Sequence, residues 1–276
     1  MNFEEINNYL QNFTGTELRK DIPDLLSHLK KEALDNSDQD LAKNIWCLEQ
    51  VYIVIAHYLN AFRHLHEKDF FEAWCQLDRA EIELSFLRRH FDYSGNKYNL
   101  GIIENHVLQL QKMFPYQYFF SRESVVKKWY CSICNEEISL RKSCGHKVGE
   151  IYNGEQCCRV AGDIEFLGIA LVTDPFDKYT VIFPKGLDYN YSMLESLMVN
   201  FKDPFQIWEL SITKKLKVEY EGAGKNRPCI CNSGKKYKMC CLKSGNDLYD
   251  HYHINFFVDA PTTIIPVSEQ FVHTWK

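Results

Sequence analysis

The chain has 276 residues, 45% hydrophobic and 25% charged, with a formal net charge of −5 and a pI near 6.1. That balance excludes a disordered polyelectrolyte and leaves apolar material for one large domain or two to three small ones. It also excludes a chain-wide polycation, so any nucleic-acid contact must come from a local patch.

The opening MNFEEINNYL is acidic and has no apolar h-region, so no secretory signal is expected. The longest weakly polar run, residues 51–62, is too short to span a bilayer. The expected location is the cytoplasm, with no membrane contact. Residues 1–128 read as a helical domain. Ile45, Leu48, Tyr52, Ile55, Leu59 and Phe62 recur at alternating steps of three and four, which is one apolar helix face. Asp69 and Glu72 have the form of a capping box opening a second helix, with Phe70, Trp74, Leu77, Leu84, Leu87 and Phe91 on its apolar face. The two form an αα-hairpin. A turn at 93–97 precedes a third helix at 101–114. His57, His64 and His66 read as surface or capping residues in preference to a helix-face metal site. The aromatic run at 115–120 reads as packing between helix and ribbon.

A zinc-ribbon-like module is expected at 129–160 and a small β-containing domain at 161–221. In the latter, 168–175 and 178–184 flank turn residues and read as a hairpin. A short helix at 192–200 and a strand at 212–220 follow. A zinc module at 222–244 precedes C-terminal strands at 251–258 and 262–267, within a segment 245–276 that packs on the β-containing part. The expected fold class is α+β: a helical, αα-hairpin-based N-terminal domain, then a β-containing part with two small zinc-stabilised modules.

Nine of the eleven cysteines fall in two clusters, 131–158 and 229–241. CxxC, CxC, CxH and CC spacings suit metal ligation better than a disulfide framework in a reducing compartment. Cys47 and Cys75 lie in helical patterns and read as small buried hydrophobes. In the first cluster, Cys131, Cys134, Cys144 and His146 have the spacing of a zinc knuckle, and Gly145 permits a tight approach. Cys157 competes for one position, most naturally that of Cys144, and Cys158 reads as a buried thiol. The segment is similar to a zinc-ribbon pattern of phage and mobile-element proteins. The deaminase and HExxH signatures are absent, and at least three thiolates in a closed shell favour a structural metal over a catalytic one.

In the second cluster, Cys229 and Cys231 lie two apart in an extended segment and point to one side. Asn232, Ser233 and Gly234 can reverse the chain. Cys240 and Cys241 then complete four soft ligands, the preferred set for tetrahedral Zn²⁺. So short a segment cannot hold its shape by apolar burial, whereas zinc contributes roughly 10–16 kcal/mol in small zinc peptides. Residues 226–241, reading NRPCICNSGKKYKMCC, resemble the SEC-C motif, the zinc-binding tail of the bacterial preprotein translocase motor. The resemblance implies zinc and a bacterial protein; in the motor the motif implies contact with a chaperone and the ribosome. Ile230 stands where the motif has Pro and Asn232 where it has Gly.

From Ser211 to Lys243 there are nine Lys/Arg against two Glu, a net of +7. Lys235, Lys236 and Lys238 either compensate a dianionic metal site or contact phosphates. Two zinc ions are expected, with no small-molecule cofactor beyond zinc. The function favoured is a non-enzymatic adaptor with a protein partner, accessory to a phage-defence or mobile-element system. A nucleic-acid-binding protein using the basic strip 214–243 comes second, and an enzyme whose site no motif reveals comes third.

Overall fold

A computed structural model describes residues 1–139, 141, 143–257 and the backbone of 264–266. The fold is α+β with small antiparallel sheets. The chain divides into two units, Met1–Pro184 with Asp203–Phe205 and Lys185–Lys202 with Gln206–Lys276. Among the described residues, no helix is long and apolar enough to cross a membrane.

The first unit opens with α1 (Phe3–Gln11), α2 (Ile22–Asp35), α3 (Gln39–His66), α4 (Phe70–Leu87) and α5 (Leu100–Gln111). Asn2 and Glu5 close a reciprocal capping box on α1, satisfying two backbone donors that the helix itself cannot. Helix α3 is the axis of the unit. Its expected face is buried apart from half-exposed Tyr52, but a second set is buried too: Val51, Val54, Tyr58, Ala61 and Leu65. Helices α1, α2, α4 and α5 all pack against it, so one stripe does not suffice. Asp69 caps α4 by position only; its carboxylate makes no cap bond and lies 3.2 Å from His64 Nδ1. Cys47 and Cys75 are buried, and burial pushes both thiols up to about 11.

The helices end at Gln111, and residues 119–128 are strand, not helix. Strand β1 (Phe119–Cys131) pairs antiparallel along its length with β5 (Arg159–Val172). Between them lie β2 (Glu137–Ile138), which returns on β1, and the tiny hairpin of β3 (Ile151–Tyr152) and β4 (Glu155–Gln156). The hairpin expected between 168–175 and 178–184 does not form. Its first half is the end of β5, and its second half touches the other side of β1 through a Phe119–Val181 bridge. Both halves pair with β1, because the long ladder offers more backbone bonds than a local turn. The aromatic run does join helix to strand: Trp74 packs on Phe114, Tyr116 and Phe119 and donates Nε1–H to the Lys178 carbonyl at 2.7 Å.

The second unit holds α6 (Ser192–Met198), β6 (Trp208–Leu216), α7 (Cys241–Ser244), β7 (Leu248–Phe256) and β8 (Ile264–Pro266). Its antiparallel sheet has the order β6-β7-β8. Leu194, Leu197, Phe201, Trp208, Ile254 and Phe256 are among its most deeply buried apolar side chains. Of the two expected C-terminal strands, residues 258, 262, 263 and 267 lie outside the described residues.

In the helical core, the Tyr58 hydroxyl donates to the Pro204 carbonyl and lies 2.6 Å from His106 Nδ1. One hydroxyl carries one proton, so His106 Nδ1–H donates to the phenol oxygen. Burial pushes the His106 pKa down to about 4. The unfolded chain therefore binds more protons between about 6.5 and 4, and stability is lost as pH falls through that window. Urea unfolding should show this fall in wild type and a flatter profile in His106→Asn. Tyr58→Phe should cost about 1–3 kcal/mol at neutral pH, because it strands buried polar groups.

Candidate metal centres

At the first cluster, β1 delivers Cys131 into a tight reversal. Asn135, in the left-handed region at φ 57°, returns its N–H to the Cys131 carbonyl at 2.8 Å, and Cys131 N–H reaches the Glu136 carbonyl at 2.9 Å. The reversal carries Cys134 back beside Cys131. Gly145 at φ 87° turns the chain between Cys144 and His146. The His146 ring stands edge-on to Tyr152 at 4.7 Å, and the Tyr152 hydroxyl accepts the Lys147 N–H.

The donor atoms of Cys131, Cys134, Cys144 and His146 all lie within 4.8 Å of one another, with Cys131 Sγ 3.7 Å from His146 Nδ1. A tetrahedron with bonds of about 2.3 Å sets its donors about 3.8 Å apart, so the set fits one Zn²⁺. The Cys134 backbone N–H pulls the Cys131 thiol down to about 6, which favours the thiolate a metal needs. Cys157 is buried with its Sγ 3.9 Å from Cys131 Sγ, and burial pushes it up to about 11. It therefore stands as a thiol donor toward Cys131, outside the mutually close group of four. Cys158, expected to be buried, is exposed.

Helical side chains hold this module in place. Lys30 Nζ binds Glu49 at 2.7 Å and Glu155 at 2.9 Å, Gln39 bonds Asn153, and His90 Nε2 contacts the Gly149 carbonyl at 2.6 Å. Glu155 is thus committed to Lys30. The histidines of α3 have local partners: His57 lies 2.7 Å from the Gln76 side chain, and His66 packs on Phe62.

The second cluster is closed by backbone pairing. Pro228 and Lys236 form an antiparallel bridge, with Cys229 N–H donating to the Lys235 carbonyl and Tyr237 N–H to the Arg227 carbonyl. Asn232 takes φ 58° and Gly234 φ 73°, so Asn232 supplies the left-handed turn without a glycine. The sulfurs of Cys229, Cys231, Cys240 and Cys241 lie within 4.8 Å of one another, and Cys231 and Cys240 are 3.4 Å apart. The Ser233 hydroxyl helps pull Cys231 down to about 6 and lies 3.0 Å from Cys240 Sγ. Four soft donors at this spacing fit Zn²⁺. Among the described residues, these are the two places where three or more metal-binding side chains converge.

Three residues outside the expected donor set, Tyr220, Tyr237 and Asp247, complete this site. Tyr220 donates its hydroxyl to Cys241 Sγ at 3.3 Å, and its ring packs on Tyr237 at 5.5 Å. Tyr237 in turn donates to Asp247, whose side chain is buried and whose backbone carbonyl accepts the Lys217 N–H at 2.8 Å. Such outer partners orient ligands and exclude water. Only the regular spacing of the cysteines was visible in the sequence; nothing there ties Tyr220 or Asp247 to them. Lys235, Lys236 and Lys238 are all exposed and make no ion pair among the described residues.

The SEC-C motif, a zinc-binding motif, matches residues 226–243. No curated protein and no solved structure matches the chain.

Protein prepared under reducing conditions should carry two zinc ions by elemental analysis. Cys240→Ser should lower that to one. Cys144→Ser should do the same, whereas Cys157→Ser should retain both, and the reverse pattern would make Cys157 the ligand. Tyr237→Phe leaves the Asp247 carboxylate buried without its donor and should cost about 3 kcal/mol in denaturant unfolding.

Proposed function

We propose that this chain is a non-enzymatic, cytoplasmic, zinc-binding adaptor of bacterial origin that engages a protein partner, accessory to a phage-defence or mobile-element system. The observation that carries the reading is the outer surface of the SEC-C knuckle. Ile230, Met239 and Leu242 are exposed there beside Lys235, Lys236 and Lys238. A compact site that exposes aliphatic side chains next to cations that form no ion pair among the described residues fits an acidic, amphipathic protein segment. Each cluster supplies four donors, which leaves no open position for a reacting water and supports a structural role for the metal.

The unpaired lysines also support the second reading, nucleic-acid binding along 214–243. Two outcomes separate them. A protein partner recovered from the host by native pull-down should be lost on Met239→Asp, with affinity reduced by about 30-fold or more. Nucleic-acid binding should instead tolerate Met239→Asp and weaken steeply with salt. Its log–log salt slope should then flatten by about 3 when Lys235, Lys236 and Lys238 are replaced by Gln, both zinc ions being retained.

A further inference from the structure

The β1–β5 ribbon has two chemically different faces, and a bulge makes them so. From Cys131–Arg159 to Ser124–Phe166 the strands keep one register, interrupted only where Asp163 turns to φ 49° and Lys127 and Asp163 do not pair. The register then slips by one residue, leaving Leu167 as the extra residue on β5. Side chains alternate along a strand, so Val160, Ile164 and Phe166 share a face. Without the slip, Ile169 and Leu171 would fall on the opposite face. With it, Ile169 pairs with Arg122 and Leu171 with Phe120, on the same side as Phe166 and its partner Ser124. The Tyr130 ring lies over Gly162, which places both on this face. The other face of β5 carries Arg159, Asp163 and Glu165, and Glu165 there meets Lys127 at 2.9 Å.

The apolar row is open. Phe166 is 58% exposed and Ile169 65%, and Phe120, Val160, Ile164 and Leu171 are exposed as well. Together these six present on the order of 650 Å² of apolar surface, at the upper end of what a monomer leaves in water and close to one side of a standard interface of about 800 Å². The cations beside the row are already paired within the chain, Arg122 with Asp177 at 3.3 Å and Lys128 with Glu137 at 3.8 Å. The face therefore asks no complementary charge of its occupant. Strand β5 is also the outer strand of its sheet, and neither lysine nor proline blunts its edge.

We infer that this face is a homodimer interface, on which a second copy of the chain lays its own β1–β5 ribbon across a two-fold axis. An isologous contact needs a surface complementary to itself, and a row that is apolar from Val160 to Leu171 meets that need in either direction. Stacked about 10 Å apart, the two β5 rows form the dry centre and the ion-paired β1 strands the rim.

Analytical ultracentrifugation of the full zinc-loaded chain at micromolar concentration tests this. Wild type should sediment at twice the 32.5 kDa chain mass. Phe166→Asp should raise the dimer dissociation constant by about 100-fold or more, while Glu165→Gln on the other face leaves it unchanged. Ile169→Asp, further from the cysteine cluster, gives the same readout should Phe166→Asp lower the zinc content. A monomeric wild type would overturn the inference, as would a dimer indifferent to both aspartates.

Discussion

Both long antiparallel ladders of this protein are joined through a cysteine cluster, and that constraint organises the β structure. Cys131 and Arg159 are the last rung between β1 and β5, and everything from 132 to 158 is the connection. Leu216 and Leu248 are the last rung between β6 and β7, and residues 217–247 are theirs. Connections of that length cost entropy to close and bury little apolar surface. Four donors that converge closely enough to share one metal ion would offset that cost on binding it, each cluster then acting as the turn of an oversized hairpin.

Electrostatics follow from the same arrangement. With zinc bound, four thiolates would carry a net charge of −2, which exposed lysines around Cys229–Cys241 would reduce while remaining in water. Tyr220 relieves the same charge from the buried side through its hydroxyl on Cys241. The first cluster has three sulfurs and one imidazole, so it holds less charge. It is held instead by Lys30, Gln39 and His90, which tie its outer hairpin to the helices.

The divergence between expectation and structure is sharpest at β5. Read alone, GIALVTDP followed by KYTVIFP has the composition of two strands around a turn, and the alternation in RVAGDIEFLGIALV is broken. The break is the bulge at Leu167, which has meaning only against β1. Helix α3 shows the milder form of the same problem. Its first apolar stripe was legible, while Val51, Val54, Tyr58, Ala61 and Leu65 lie off that stripe and are buried because four neighbouring helices pack against α3.

The sequence by itself determined the α+β class, the Cys and His spacings whose four side chains converge in each cluster, and the turn at Asn232–Gly234. These depend on short-range spacing and on residue-specific backbone preferences, both local. Only the tertiary structure decided that β5 pairs with β1, that Cys157 sits against Cys131 while Cys158 faces water, and that Tyr220 and Asp247 brace the second cluster. Those are meetings between residues far apart in the chain, selected by burial and backbone pairing, and no local pattern encodes which distant strand or side chain wins.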